Sequence, residues 1–315
     1  MNPKVSVIIP VYNGEMSIGI PIQSLIRQTY DDFEVLIIDD GSKDKTKDII
    51  RELIEPDARF KYFFQDNSGV SAARNRGIKL AKGDLISFLD SDDFYDCSYL
   101  EKMVNKMKNT SADVCYCGYN IVSPRRKTRN TTKFRCENLL LDYILGRVSI
   151  HTTGWLINKY LIDEFNILFP DGISWGEDFE FFCEVLMRSK KNVYVNEYLT
   201  NYRVEFENNR LSSFSMIKMD QDFASVQRIR KKLCTFNNEV IEEALLSYRL
   251  QAILVYRLLL AFKEGTLHIE IFGYYEKYKA YISTNSWING IRSFKLNVNK
   301  IYLLIRLFII GVKTR

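Results

Sequence analysis

Three aspartates and a serine occupy consecutive positions, Asp90, Ser91, Asp92 and Asp93, directly after the apolar run LISFL. Carboxylates leaving a buried strand together repel one another, and a hard divalent cation is the commonest group that offsets this. An Asp-x-Asp pair can ligate Mg2+ or Mn2+ while the ion's other positions take diphosphate oxygens. The same residues are also good helix N-caps ahead of Tyr99–Lys108, so the turn alone supports either reading. A second cluster, DDGSKDKT, closes another β-branched run with Asp39 and Asp40. Gly41 permits a tight turn there, and Ser42 or Asp44 can cap the next helix. Capping does not account for two adjacent carboxylates, one of which could accept the imino N–H of a uracil. In NSGVSAARNRG, Arg74 and Arg76 stand one turn into a helix. Arginine there suits a phosphate, and it equally suits a solvated helix face. Finally, Glu177 and Asp178 precede FEFFCEVLMRS, where an aspartate is a natural N-cap.

These clusters need elements to hold them, and the first 120 residues supply two alternating periods. Val5–Ile9, Phe33–Ile38, Phe60–Phe64, Leu85–Leu89 and Val114–Tyr119 read as strands. Ser17–Arg27, Lys45–Ile54, Val70–Ala81 and Tyr99–Lys108 between them read as helices. Single helices between strands imply crossover units and a mainly parallel sheet. Ligands bind such sheets beyond the carboxyl ends of the strands, where PVYNG, DDGSKD and DSDD fall. Further on, PRRKTRNTTKFR, Pro124 to Arg135, reads as an exposed basic loop at a subdomain boundary. Helices are expected near Leu139–Leu145 and Phe179–Arg188, and short strands around Val193–Val195 and Leu199–Arg203. Beyond Met216 the pattern is helical: Asp220–Leu233, Val240–Phe262 and a basic, apolar stretch after Trp287.

With 315 residues, 46% hydrophobic and 26% charged, the chain is long enough for a full core and a smaller appended region. That composition excludes disorder, collagen and coiled coil as descriptions of the whole. Six scattered cysteines without a CxxC, and no leader-like start, fit reduced thiols in the cytoplasm. Cys115 and Cys117 should share one face of a strand and pack there. Two histidines are too few for a histidine-rich metal site, and no run of 18 apolar residues suggests a spanning helix. Charge is unevenly spread: residues 1–215 carry −3 and residues 216–315 carry +8, with eight bases and no acid after Glu276. Such a tail wants an anionic partner. No nucleic-acid recognition motif accompanies it.

In combination, VSVIIPVYN, IIDDGSKDKT and NSGVSAARNRGIKLAKGDLISFLDSDDFY resemble the family 2 glycosyltransferases of bacterial surface polysaccharide synthesis, which have the GT-A fold. The likeness resumes at FPDGISWGEDFEF and ends near NYRVEF, covering about two-thirds of the chain. It implies an α/β, Rossmann-like nucleotide-diphospho-sugar transferase domain over 1–215. Residues 1–120 would be its nucleotide-sugar half and 121–215 its acceptor half. A helical, basic region would follow over 216–315. It also implies that Pro10, Val11, Tyr12 and Asn13 border the base and ribose, with Asp39 on the uracil edge and Asp40 beside it. Arg74 and Asn75 would face the nucleotide, Asp90 and Ser91 the ribose or donor sugar. Asp92 would be the direct ligand of Mn2+ or Mg2+, and Asp178 the general base. Glu177 and Trp175 would lie on the acceptor side.

The implied reaction inverts the anomeric centre as an acceptor hydroxyl displaces the nucleoside diphosphate, the donor being a UDP-sugar and the acceptor a glycan or lipid-linked glycan. The Gln-x-x-Arg-Trp motif of processive synthases is absent from this chain, favouring a single sugar addition. Two alternatives remain. A sugar-nucleotide pyrophosphorylase would need an arginine-bearing glycine loop after the first strand, where PVYNGEMSI has one glycine and no arginine. A non-catalytic scaffold would leave Asp39, Asp90, Asp92 and Asp178 without a purpose. At the C-terminus, Ile301–Val312 is too short to span a bilayer but is flanked by bases. Residues 287–315 could therefore dock peripherally on an anionic membrane, or pack on the core or on a partner subunit.

Overall fold

The computed structural model describes residues 4–55, 57–173, 175–204, 215–233 and 238–313. Ser174, the Glu205–Phe206 end of NYRVEF, Cys234 and Arg315 lie outside the described residues. The chain divides into two compact units, Met1–Leu139 with Arg147–Glu207, and Leu140–Gly146 with Asn208–Arg315.

The first unit begins with the expected alternation: β1 Val5–Val11, α1 Gly19–Ile26, β2 Phe33–Asp39, α2 Thr46–Ile54, β3 Phe60–Phe64, α3 Val70–Leu80 and β4 Leu85–Phe88. Then follow β5 Phe94–Tyr95, α4 Tyr99–Thr110, β6 Val114–Ser123, β7 Arg126–Arg129, β8 Trp155–Asn158, α6 Lys159–Phe165, α7 Glu177–Arg188 and β9 Asn192–Arg203, while α5 Leu139–Ile144, between β7 and β8 in the chain, falls in the second unit but for Leu139. Among the described residues, nine strands form one sheet in the order β3-β2-β1-β4-β8-β6-β9-β5, with β7 paired to β6. The β3-β2-β1-β4 half is parallel, as crossover helices require. Every residue of β1 and β2 is buried, which is why both read as unbroken apolar runs. The other half is mixed: β8 runs antiparallel to β4 and β6, whereas β9 runs parallel to β6.

Three local expectations change. PRRKTRNTTKFR is a loop only in part, because Arg126–Arg129 forms a hairpin with the end of β6. The two short strands after residue 192 are one strand, β9, whose pairing with β6 is interrupted by register shifts beside Gly118. The elements β8 and α6 had no expectation, since WLINKYLIDEF is too short and mixed for periodicity to separate strand from helix. Cys115 and Cys117 do pack together in the main core, and burial pushes both thiols up, Cys115 to about 12.

Close packing of α3 on β1 sets the geometry of the parallel half. A Cβ at Gly77 would overlap Ile8 Cγ2 and sit 3.0 Å from Cγ1, both parts of a fully buried side chain.

The second unit contains α8 Ile217–Leu233, α9 Glu239–Glu243, α10 Gln251–Lys263, α11 His268–Ile282 and α12 Ile291–Lys313. A π-helical turn, Ala244–Leu250, joins α9 to α10. The resulting stretch Glu239–Lys263 is long and apolar enough to cross a membrane by length and composition, although the run-of-18 criterion passes over it. Its buried polar residues Gln251 and Arg257 have partners inside the unit. Arg257 pairs with buried Asp222, and Gln251 bonds Thr284 Oγ1 at 2.7 Å. Lys300 of α12 donates to Gln251 Oε1 and, at 2.5 Å, to the Thr284 carbonyl. The segment Leu140–Gly146 belongs to this unit, held by Asn289 Nδ2 on the Leu145 carbonyl at 2.9 Å.

Two measurements test this packing. Alanine at an interior helical glycine gains about 1 kcal/mol in propensity. Overpacking costs about 1–3 kcal/mol, and the Ile8 overlap makes that cost the larger for Gly77→Ala. Chemical denaturation should therefore show a net loss of stability. The second concerns Lys300, which burial pushes down from 10.5 to about 8. Between those values the unfolded chain holds a proton the folded chain lacks, so stability rises with pH across that window. Denaturation of wild type and Lys300→Met at pH 7.5, 9 and 10 should show a gain in wild type that the variant lacks.

Candidate active site

The carboxyl ends of β1 and β2 are stitched into one surface. Asn13, at φ 49°, takes the Lys43 N–H on Oδ1 at 2.9 Å, while its own N–H donates to Ser42 Oγ at 2.9 Å. Gly14 N–H donates to Thr46 Oγ1 at 2.8 Å. Pro10 and Val11 are buried in β1, and Tyr12 stands half exposed beyond it. Asp39 is fully buried, accepting from Ser42 N–H at 2.8 Å and from the Tyr62 hydroxyl at 2.7 Å. Burial and this bond to Asp39 push the Tyr62 phenol well up. Asp40 grips the loop that starts α3, accepting from Gln65 Nε2 at 2.7 Å, Ser68 N–H at 2.9 Å and Gly69 N–H at 2.8 Å. Gly41, at φ 83°, lets the same loop close, since a Cβ would meet Asn67 N at 2.8 Å.

From this anchored start, α3 reaches across to a segment about a hundred residues away in sequence. Ser71 Oγ donates to the Ile173 carbonyl at 2.7 Å. Asn75 takes Phe169 N–H at 2.8 Å and gives its amide to the Phe169 carbonyl at 2.8 Å and Asp171 at 3.1 Å. The Asn75 side chain is thus committed to holding the 169–171 turn. Between these two lies Arg74, buried and stacked over Phe169, with its guanidinium on Asp90 at 2.9 Å and on Glu177 at 3.1 Å. Burial alone would lower the Arg74 pKa, but the two carboxylates outweigh it and the net shift is upward. Burial, then the neighbouring Asp178, pushes the Glu177 carboxyl up, with Arg74 opposing.

The DSDD turn lies well before the start of α4 at Tyr99, so it does not cap that helix. It is tied to the end of β9 instead. Asp93, fully buried, accepts from Arg203 N–H at 3.0 Å, and the Asp92 carbonyl accepts from Arg203 Nη1 at 3.5 Å. Ser91 and Asp92 are partly exposed on the turn. His151, which residue counting set aside, stands 3.4 Å from Asp93 through Nδ1 and 2.9 Å from Thr153 Oγ1. Its ring packs against Tyr119 and Tyr202. Burial pulls its pKa down, while Asp90 and Asp178 pull it back up. The local sequence mark for His151 is a polar HTTG before the apolar run WLIN.

Asp90, Asp93 and His151 each present a donor atom within 4.8 Å of the others. Two carboxylates and an imidazole suit a first-row divalent cation, so these residues fit the metal that the sequence implies. Asp92 does not belong to that trio. Asp178 stands at the second position of α7, whose N-cap is Gly176, so Asp178 is not the cap. Its Oδ2 accepts from the Thr152 hydroxyl at 3.3 Å, beside His151, and its Oδ1 from Phe179 N–H at 2.7 Å. Trp175 is partly exposed just before α7.

Comparison with known proteins identifies the fold and the family. A crystal structure of residues 1–349 of Staphylococcus aureus TarS, in complex with UDP-GlcNAc, superposes with a TM-score of 0.74 at 19% identity, covering 95% of this chain and 89% of that one. The fold is therefore GT-A. EpsJ, a glycosyltransferase of Bacillus subtilis, is 31% identical over 212 residues, 64% of this chain and 62% of EpsJ. A Haemophilus influenzae glycosyltransferase is 32% identical over 219 residues, 67% of this chain and 84% of that protein. TuaG, a teichuronic acid biosynthesis glycosyltransferase of Bacillus subtilis, is 30% identical over 212 residues, 67% of this chain and 82% of TuaG. Residues 6–167, which run from β1 past the DSDD turn and His151, match Glycosyl transferase family 2. This chain belongs to that family.

Proposed function

We propose that the protein is an inverting glycosyltransferase that moves one sugar from a UDP-sugar to a glycan or lipid-linked glycan in bacterial surface polysaccharide synthesis. The observation that carries this reading is the Arg74 bridge. It holds a carboxylate from the end of the parallel half, Asp90, and the Glu177–Asp178 turn on one buried guanidinium. The UDP part rests on TarS, which has been crystallised with UDP-GlcNAc and with UDP. UDP-GlcNAc is accordingly the first donor to try. The family relatives in polysaccharide synthesis support the acceptor class. We assign residues 1–120 to the donor, with Pro10 to Asn13 and Asp39 bordering the nucleotide, and residues 121–215 to the acceptor, with Trp175 on that side. Work in the cytoplasm would suit the exposed thiol of Cys97.

In the proposed reaction Asp178 accepts the proton of the attacking acceptor hydroxyl. The new C1–O bond forms on the face opposite the departing diphosphate, whose own C1–O bond breaks, so the anomeric centre inverts. Thr152 and the Phe179 N–H orient the Asp178 carboxylate. Arg74 fixes Asp90 and keeps Glu177 turned away from the proton transfer. A Mn2+ or Mg2+ ion, when bound, would stabilise the charge that develops on the leaving diphosphate. Asp90, Asp93 and His151 would hold it, and Asp92 is the competing ligand that the family resemblance implies.

Two experiments test these assignments. Base catalysis is worth roughly 10²–10⁴-fold, so Asp178→Asn should lose turnover by that order while UDP affinity and melting temperature hold. Near-normal turnover would remove Asp178 from the chemistry. For the metal, chelation should abolish UDP release from UDP-GlcNAc, and Mn2+ or Mg2+ should restore it. Calorimetric Mn2+ binding should then weaken in His151→Ala more than in Asp92→Ala. The reverse order would return the ligand role to Asp92, and full activity in chelator would remove the metal altogether.

A further inference from the structure

The C-terminal helix α12 has two opposed faces, and only one is used by its own unit. Ser293, Leu296, Lys300, Leu303 and Leu307 are at most 6% exposed. Ile291, Phe294, Val298, Ile301, Ile305 and Phe308 are 47–77% exposed. The second set is displaced from the first by two residues, about 200° around a helix of 3.6 residues per turn. Its spacing alternates strictly between three and four, which is a heptad seam with 291, 298 and 305 at a and 294, 301 and 308 at d. At 1.5 Å per residue the seam runs about 26 Å. Apolar Tyr302, Leu304 and Ile309, each about half exposed, widen it toward the C-terminus. A contiguous apolar stripe of this kind on a surface marks an interaction site.

We propose that this seam pairs with the α12 seam of a second copy of the same chain. Side-chain choice supports a helix as the occupant. Each a position is β-branched, Ile291, Val298 and Ile305, the class that packs well in the a layers of parallel coiled coils. Flanking positions do not oppose self-pairing. In a parallel pair the g and e′ neighbours would be Asn297 with Tyr302 and Leu304 with Ile309, so no like charges meet. An anionic membrane is less favoured, because three of the helix's bases are engaged inside the unit. Arg292 Nη1 bonds the carbonyls of Leu145 and Gly146, Lys300 bonds Gln251 and Thr284, and Arg306 stacks over Phe262 at 4.8 Å. Lys295 is left at the edge of the stripe. Interfacial helices instead carry their cations free on the polar face.

Sedimentation equilibrium of the 315-residue protein from 1 to 100 µM, without detergent, tests the pairing. The weight-average mass should climb with concentration from 37.0 kDa toward a multiple of it. Val298→Glu/Ile305→Glu should stay at 37.0 kDa with an unchanged melting temperature. Should that variant fail to fold, the milder Ile301→Ala and Phe308→Ala should each weaken association at least tenfold. Wild type at monomer mass throughout, or association that survives these substitutions, would overturn the proposal. Monomeric wild type that floats with phosphatidylglycerol vesicles would overturn it in favour of a lipid surface.

Discussion

A single buried cation organises the candidate active site. Arg74 lies out of solvent between Asp90, at the end of one β-strand run, and Glu177, at the start of a helix that lies 103 residues beyond Arg74 in the chain. Removing one partner from such a pair leaves a buried charge uncompensated, which costs about 3–5 kcal/mol. The three groups are therefore mutually dependent. Neither carboxylate can move far without exposing the guanidinium to an apolar surround that includes Phe169. Asp178 inherits its place from this constraint, because it is the next residue after Glu177 in the same first turn.

That constraint in turn depends on how α3 is seated. Asp40 fixes the helix start through two backbone N–H groups and the Gln65 amide. Gly77 lets the helix body approach β1 closely. Ser71, one turn before Arg74, and Asn75, the residue next to it, bind backbone of the 169–173 segment. Adjacent acidic residues at a strand end thus divide their labour: Asp39 turns inward to Ser42 and Tyr62, and Asp40 turns to the α3 loop. The double aspartate looks redundant in sequence and is not.

The helical unit solves a different problem. Its longest apolar stretch carries Gln251 and Arg257, and each has a partner inside the unit. Burying Lys300 against neutral acceptors costs stability at neutral pH, since no carboxylate among the described residues answers the ammonium there. The same lysine fixes which face of α12 turns inward, and so which face is left for a partner.

Sequence alone determined the parallel half of the sheet, because buried parallel strands must be apolar throughout and their crossover helices amphipathic, and both periods are local. It also located the polar clusters at Asp39–Asp40, Asp90–Asp93 and Glu177–Asp178, since carboxylates bordering apolar runs are visible without coordinates. What those carboxylates touch was decided only by tertiary structure. His151 reaches Asp93 because β8 inserts antiparallel beside β4, a pairing that no local period encodes. Aspartate's preference for caps made Asp178 ambiguous until Gly176 proved to hold the cap position. Arg74 could have faced solvent, phosphate or protein, for an arginine on a helix carries no mark of its partner. Its direction follows from the contact between α3 and the 169–177 segment, a long-range closure that burial enforces and spacing along the chain cannot express.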